Sequence, residues 1–351
     1  MRYLSTFSGI GGFELGIQNS MPAECIGFSE IDKYATKVYK HHFPNHKEYG
    51  NISKIDTATI PDFDCLVGGF PCQSFSIAGK RGGFEDTRGT LFFELARILR
   101  DKRPRCFVFE NVKGLLSHDQ GNTFKTIIAT LDELGYFVEW QVLNSKNFGV
   151  PQNRERVFIV GHLGGEPKRK VFPLRENGKR IDKGEQGGVE VQTASCLNAR
   201  MHKMGRDDNY IEQLNNPKHS NDRVYGDGGL APCLNTMQGG NRQPFVKIRS
   251  ANKKGYEEAT GGDSVNFSRL ESTTRRGKVG KQVAQTLDTG GQLGVMKGNR
   301  IRRLTPMECE RLQGFLDNWT GVEEMSDTQR YKQCGNAVTV NVIEAIFNRL
   351  V

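Results

Sequence analysis

The chain has little of several things: two tryptophans, twelve prolines, eight cysteines and no run of 18 or more apolar residues among 351 positions. The cysteines, at 25, 65, 72, 106, 196, 233, 309 and 334, form no Cys-x-x-Cys pair and no regular framework. That excludes a disulfide scaffold and a zinc module and suits a reducing compartment. The missing apolar run excludes a membrane-spanning helix, and Met1-Arg2-Tyr3-Leu4 leads directly into a strand-like segment in place of a signal peptide. A soluble, cytoplasmic protein is expected. His41, His42 and His46 are the one histidine cluster, and their spacing suits no metal site, so no metal is expected. A chain this long holds roughly two domains and buries a sizeable core without staples.

Aromatic residues are scarce in one stretch and positive charge is concentrated there. Residues 165–297 carry 23 Lys and Arg against 15 Asp and Glu, most of the chain's net charge of +9, but six of its 32 aromatic residues. About half of the 41 glycines fall in the same stretch. The chain therefore has two regions of different character: an aromatic-rich globular part, and a glycine-rich, core-poor part whose localised charge is the footprint of a polyanion binder. Within the basic stretch a short pattern recurs, at Ala194-Ser195-Cys196-Leu197-Asn198, Ala231-Pro232-Cys233-Leu234-Asn235 and Ala284-Gln285-Thr286-Leu287-Asp288, spaced too unevenly for a solenoid.

Residues 1–163 read as alternating strands and helices. Strands are expected at Tyr3–Phe7, Cys25–Phe28, Cys65–Gly69, Cys106–Phe109, Phe137–Leu143 and Val157–Val160, and helices from about Gly12 to Asn19, Lys33 to His41, Thr90 to Lys102 and Thr123 to Leu134. Such alternation means an α/β fold with a largely parallel, doubly wound sheet. The last fifty residues return to this regular character. Thr305-Pro306-Met307-Glu308 is a helix start with a capping box, and Gly314 is its stop. Val338, Val342, Ala345, Ile346 and Arg349 set out a mainly apolar stripe on a final helix. The basic region is thus an insertion, giving divisions at 1–164, 165–299 and 300–351.

Open α/β sheets bind ligands beyond the carboxyl ends of their strands, and four strand ends here carry chemistry. Pro71-Cys72-Gln73 closes the apolar run of residues 65–70, making Cys72 a candidate nucleophile; a buried structural cysteine is the plainer alternative. Phe7-Ser8-Gly9-Ile10-Gly11-Gly12 lets backbone approach a ligand at a helix N-terminus, and Glu30, 21 residues beyond Gly9, can take ribose hydroxyls. The glycine spacing departs from G-x-G-x-x-G and no P-loop lysine is present. A nucleoside cofactor without a pyrophosphate cradle is implied, or else a tight packing turn.

Glu110 ends an apolar strand, so desolvation is expected to hold a proton on it near neutral pH. In the usual sheet order its strand neighbours that of Cys72. A thiol beside such an acid suits addition to an electron-poor ring. Structural ion pairing is the alternative for Glu110, as a solvated surface run is for Gln152-Asn153-Arg154-Glu155-Arg156, which is expected to bring two guanidinium groups to the same crevice. Gly79-Lys80-Arg81-Gly82-Gly83-Phe84 combines mobility and charge, as a closing lid does.

In their order and spacing, the segments 7–12, Glu30, 71–73, Glu110-Asn111-Val112, 152–156, 302–314 and Gly335-Asn336-Ala337-Val338 resemble the motifs of DNA (cytosine-5) methyltransferases of bacterial or phage type. The resemblance implies a Rossmann-like S-adenosylmethionine-dependent methyltransferase sheet and a smaller glycine-rich target-recognition domain. By it, Phe7, Ser8, Gly9, Gly11 and Gly12 form the cofactor loop, Glu30 and Ile31 meet the ribose, and Asn51 with Ile52 meet the adenine. The family usually has Asp where Asn51 stands. Pro71, Leu91, Asn336 and Val338 complete the pocket.

The same resemblance makes Cys72 the nucleophile at C6 of cytosine, Glu110 the holder of N3, Arg156 the holder of O2 and Arg154 a support. Gln73, Ser76, Lys80, Arg81, Arg88 and Thr286 become substrate or DNA contacts. The implied substrate is double-stranded DNA with one base extruded, read by a monomer that in some settings pairs with a restriction endonuclease. Three other readings are a tRNA methyltransferase, whose Cys-Phe-Thr signature is absent, an idle DNA-binding relative, and a thiol hydrolase using His118.

Overall fold

The computed structural model describes residues 1–71, 91–167, 170–174, 245–268, 274, 277–297 and 300–350. Cys72, Gln73, Ser76, Lys80, Arg81 and Arg88 lie outside the described residues, as do the recurring segments at 194–198 and 231–235.

The first half builds one sheet. Its strands and helices are β1 (Arg2–Thr6), α1 (Gly12–Ser20), β2 (Glu24–Ser29), α2 (Lys33–His42), β3 (Cys65–Gly69), α3 (Leu91–Lys102), β4 (Cys106–Val112), α4 (Asn122–Glu133), β5 (Tyr136–Asn144), β6 (Gln152–Asn153) and β7 (Glu155–Leu163). The strand order is β2-β1-β3-β4-β7-β5. β3 and β4 are short apolar runs because they sit at the centre with both faces covered. On one face Leu66, Phe107 and Phe109 pack with α3 and α4; on the other Cys65, Val67, Cys106 and Val108 pack among residues of α1 and the C-terminal helix.

β1 to β4 run parallel as expected, but β7 runs antiparallel to both β4 and β5. Val112 at the end of β4 therefore pairs with Arg156 at the start of β7. This reversal brings residues 152–156 to the carboxyl edge of the sheet, since an antiparallel strand begins where its neighbours end.

The described part of the basic region and the C-terminal segment after it comprise β8 (Val246–Arg249), β9 (Tyr256–Ala259), β10 (Ser264–Asn266), β11 (Val279–Gly280), β12 (Ala284–Gln285), β13 (Leu293–Lys297), β14 (Arg300–Arg303), α5 (Pro306–Leu312), α6 (Asp327–Asn336) and α7 (Val340–Leu350). β8 and β9 form a hairpin, and a small sheet has the order β11-β10-β13-β14. Val246, Ile248, Ala259, Val265, Met296 and Ile301 give this part its own small apolar cluster. β12 instead pairs in parallel with β6 in a separate two-stranded sheet, beside the segment that leads into β7.

α5 starts with the expected capping box, Thr305 and Glu308 bonding reciprocally, and Gly314 lies just beyond it in the left-handed region at φ 80°. α7 differs from expectation. Its buried face is Val340, Val342, Ile343, Ile346 and Phe347, while Ala345 and Arg349 sit at its margin and Val338 precedes it. The rotation is set by α1: a Cβ on Gly16 would lie 2.6 Å from the Ile343 Cβ, so only glycine lets the two helices approach along the Ile343 face. Among the described residues no helix is long and apolar enough to cross a membrane.

Candidate active site

Four of the candidate segments lie at the carboxyl ends of the parallel strands: Phe7 follows β1, Glu30 follows β2, Pro71 lies two residues beyond β3 and Glu110 is near the end of β4. After β1 the chain turns sharply, with Phe7 at φ 50°, Gly9 at φ 55° and Gly11 at φ 88°. A non-glycine residue in that region is strained and persists only where its surroundings hold it. They do so here. Ser8 N donates to Ser29 O at 3.2 Å, Gly11 N to Ser8 O at 3.0 Å, and Gly9 N to Glu30 Oε2 at 2.8 Å. The other Glu30 oxygen accepts from Ile31 N and Asp32 N, each at 2.8 Å. Glu30 thus joins the ends of β1 and β2.

The glycines of this loop divide by surroundings. A Cβ on Gly12 would meet Val338, and one on Gly11 would strike Phe43, so these two allow close packing. Among the described residues nothing lies within 4 Å of such a Cβ on Gly9, and the same holds at Gly50. Ile31, next to Glu30, is 74% exposed, and Phe7 and Leu91 are half-buried against the core. Ile52 is buried, and the Asn51 Oδ1 accepts from Ser53 N at 3.0 Å, capping a short 3-10 turn. Asn336 closes α6 with its side chain exposed. Open backbone, a carboxylate and apolar flanks fit a nucleoside cofactor.

At the neighbouring strand ends lies the second half of the site. β3 and β4 are adjacent, with Gly69 opposite Glu110. A Cβ on Gly69 would come within 3.2 Å of Glu110 Oε2, so glycine leaves room for the carboxyl group. Arg156 Nε lies 3.0 Å from Glu110 Oε1, and the two side chains are 15% and 13% exposed. Burial pushes the Glu110 carboxyl above its ordinary value, against the pull of Arg156 and Arg154. Next to it, Asn111 is buried. Its Nδ2 donates to Phe70 O at 2.8 Å and its Oδ1 accepts from Val112 N at 2.8 Å. The backbone two residues before Cys72 is therefore tied to β4, and Pro71 is exposed beyond it.

The two arginines separate in role. Arg156 faces Glu110, whereas Arg154 is buried and donates to Gly335 O at 3.1 Å and Ala337 O at 2.8 Å. Burial and the charge of Arg156 pull its guanidinium down to about 9. Gln152 works alongside, donating to Leu312 O at 2.8 Å and accepting from Leu287 N at 3.3 Å. Thr286 Oγ1 donates to Asn153 O at 2.8 Å, so its hydroxyl holds the rim. His118 Nδ1 lies 2.7 Å from Thr123 Oγ1, and His46 Nδ1 lies 3.0 Å from the Tyr39 hydroxyl.

Several supporting residues carry no signal in the sequence. Gln313 donates to Cys334 O at 2.8 Å and accepts from Thr339 Oγ1 at 2.8 Å, and Glu310 is buried with Arg330 at 2.9 Å. Glu14, in the first turn of α1, accepts from the Tyr39 hydroxyl at 2.9 Å, while its Oε2 has no partner among the described residues. Each is a polar residue whose partner comes from distant sequence.

The sheet is parallel-rich, with a glycine loop after its first strand and a buried acid at the end of β4, and this mixed α/β fold is shared with solved methyltransferases. A protein described as a prophage-encoded DNA modification methyltransferase of E. coli is similar at TM-score 0.62 and 19% identity, covering 100% of this chain and 98% of its own. DNMT2 of Spodoptera frugiperda is similar at TM-score 0.59 and 19% identity, covering 98% and 97%.

The model of the C-5 cytosine-specific DNA methylase family matches residues 1–351, and the chain belongs to that family. The orphan methyltransferase M.SPRI of Bacillus phage SPR is 36% identical over all of this chain and 97% of its own. The type II methyltransferase M.BanI of Aneurinibacillus aneurinilyticus is 36% identical over all of this chain and 95% of its own. The protein is a DNA (cytosine-5) methyltransferase of a family that depends on S-adenosylmethionine.

Proposed function

We propose that the enzyme methylates C5 of a cytosine turned out of a specific double-stranded DNA site, through a transient bond between Cys72 Sγ and C6 of the ring. The observation that carries this reading is the carboxyl of Glu110, buried at the strand end beside that of β3, with the backbone leading to Cys72 fixed by Asn111.

Glu110 holds a proton for N3. As Cys72 sulfur adds to C6, the proton passes to N3 and the ring's electron pair becomes available at C5. Once C5 bears the methyl group, loss of its proton returns an electron pair to the 5,6 bond and expels the thiolate, and N3 gives its proton back to Glu110. S-adenosylmethionine, when bound, supplies a methyl group on a sulfonium. The loop from Phe7 to Gly12 holds it: Gly9 gives room at the open face, while Ser8, Gly11 and Gly12 shape the turn. Glu30 and Ile31 take the ribose side, and Asn51 and Ile52 the adenine. Pro71, Leu91, Asn336 and Val338 close the pocket.

Arg156 grips the base O2 and orients Glu110. Arg154 is a positioning residue, since its two hydrogen bonds fasten the 335–337 turn beneath the pocket. Ring atoms are inaccessible in a duplex, so the base is extruded before reaction. The positive charge of residues 165–297 supports contact with DNA phosphates, with Lys80, Arg81 and Arg88 closing over the base and Gln73, Ser76 and Thr286 beside it.

Cys72→Ala is expected to abolish methyl transfer while duplex binding persists. A duplex containing 5-fluorocytosine is expected to form a denaturant-resistant adduct, because fluorine cannot leave as a proton does. Recovery of the adduct on a peptide lacking Cys72, or methyl labelling of tRNA in preference to duplex DNA, refutes the reading.

A further inference from the structure

The glycine loop is held from a second direction, by a residue far along the chain. The Trp319 indole N–H donates to Ile10 O at 2.8 Å, across 309 positions, and the bond is buried. Ile10 stands between Gly9 and Gly11, both at positive φ, and its carbonyl belongs to the Ile10–Gly11 peptide, which leads from the open position into the start of α1. Glu30 grips the amide of Gly9 on one side of that peptide, and Trp319 grips the carbonyl on the other.

Trp319 is itself braced. Its ring stacks on His42 with centroids 3.5 Å apart and planes 6° from parallel. His42 Nε2 lies 2.8 Å from the Trp319 carbonyl oxygen, so that nitrogen carries the hydrogen. Phe315 packs at 5.3 Å and Phe43 at 6.1 Å between centroids, and it is the Phe43 ring that fills the space beside Gly11. The next residue, Thr320, is buried, and its amide donates to Glu310 Oε1 at 3.0 Å, an oxygen that Arg330 also binds at 2.9 Å. A buried ion pair therefore fixes the turn that presents the indole.

We propose that Trp319 is a positioning residue for the cofactor: by holding the Ile10 carbonyl it keeps the open face of Gly9 turned toward S-adenosylmethionine. The proposal rests on reading the 7–12 loop as the cofactor site. Removing the indole donor leaves a buried carbonyl unpaired and releases the loop to rotate about its two glycines. Cofactor affinity falls, while the thiol and the acid at the neighbouring strand ends stay in place.

The chain has two tryptophans, Trp140 and Trp319, so Trp140→Phe makes the emission of Trp319 a private reporter. In that background, titration with S-adenosylhomocysteine is expected to change the emission of the folded protein. Trp319→Phe keeps the apolar packing and loses the donor. Its dissociation constant for S-adenosylhomocysteine by calorimetry is expected to rise about tenfold, the size of one lost buried hydrogen bond, with kcat at saturating S-adenosylmethionine within about twofold.

His42→Phe keeps the stack and loses the carbonyl anchor, giving a smaller rise, and it carries the test if Trp319→Phe does not fold. Glu30→Gln separates the two levels. If Glu30→Gln weakens binding and Trp319→Phe and His42→Phe do not, the role of Trp319 is wrong; if none of the three weakens it, the loop is not the cofactor site. A drop in kcat with unchanged affinity also overturns the proposal.

Discussion

Replacing Asn111 tests the tie between β4 and the segment leading to Cys72. In Asn111→Ala two hydrogen bonds disappear, but their partners differ in access to water. Val112 is 41% exposed and its amide can be solvated, whereas Phe70 is 3% exposed and its carbonyl is left orphaned. One buried unsatisfied carbonyl costs about 1–3 kcal/mol, so stability should fall by about 2 kcal/mol, read as a lower urea midpoint at unchanged slope.

Asn111→Asp is closer in shape yet should be worse at neutral pH, because it sets a carboxylate oxygen against the Phe70 carbonyl in place of a donor. Burial raises the pKa of the new acid, so its cost is present above the unfolded carboxylate range and is relieved as pH falls and the group becomes a donor again. The functional readout is the rate of adduct formation on a 5-fluorocytosine duplex, expected to drop for both variants because the chain entering Cys72 is no longer fixed. An Asp variant as stable and fast as the parent at pH 8 would refute the reasoning.

Other expectations rest on the same geometry. Glu110→Gln should lower methyl transfer by about 10²–10⁴, the worth of a positioned acid, and should remove a falling limb of the pH–rate profile that lies above the ordinary carboxylate range; a variant retaining the limb denies Glu110 the role. Glu14 is pushed by burial from 4.5 up to about 7, so the folded chain keeps a proton that the unfolded chain gives up across that interval. Stability therefore falls as pH rises through the window, by at most about 1.4 kcal/mol per unit, and Glu14→Gln should flatten the slope of denaturation midpoint against pH. Gly16→Ala gains about 1 kcal/mol of helix propensity but drives a Cβ to 2.8 Å from Val340 O, where backbone cannot yield, so overpacking of about 1–3 kcal/mol should win. A raised midpoint would deny the contact between α1 and α7.

Much of the fold is legible in local pattern. Cys65–Gly69 coincides with β3 because a central parallel strand is uniformly apolar and its flanking glycine and proline mark its end. The α5 capping box is equally local, as Thr305 and Glu308 are each other's partners. The adjacency of β3 and β4 accords with a sheet order common to α/β folds.

The parts that are not legible depend on distance or on strand direction. An apolar run reads the same forwards and backwards, so the reversal of β7 leaves no trace in sequence, though it decides where Arg156 points. Arg154 and Arg156 are alike in sequence; one meets Glu110 and the other meets carbonyls 181 and 183 positions away, a division made by the returning C-terminal segment. Trp319 carries no local signal because its partner is 309 positions distant. The buried face of α7 departs from its own apolar stripe for a related reason, since it is set by a glycine on another helix.

The order in which a ribosome makes this chain gives the Trp319–Ile10 and Arg154–Ala337 bonds a further meaning. The strands that end at Glu110 and lead to Cys72 are translated early, but the residues that hold Ile10 and Arg154 in place are translated late. A prematurely terminated product would own the reagents and lack the mould. On the proposed reading of the site, competence to mark DNA would wait until synthesis had passed residue 337.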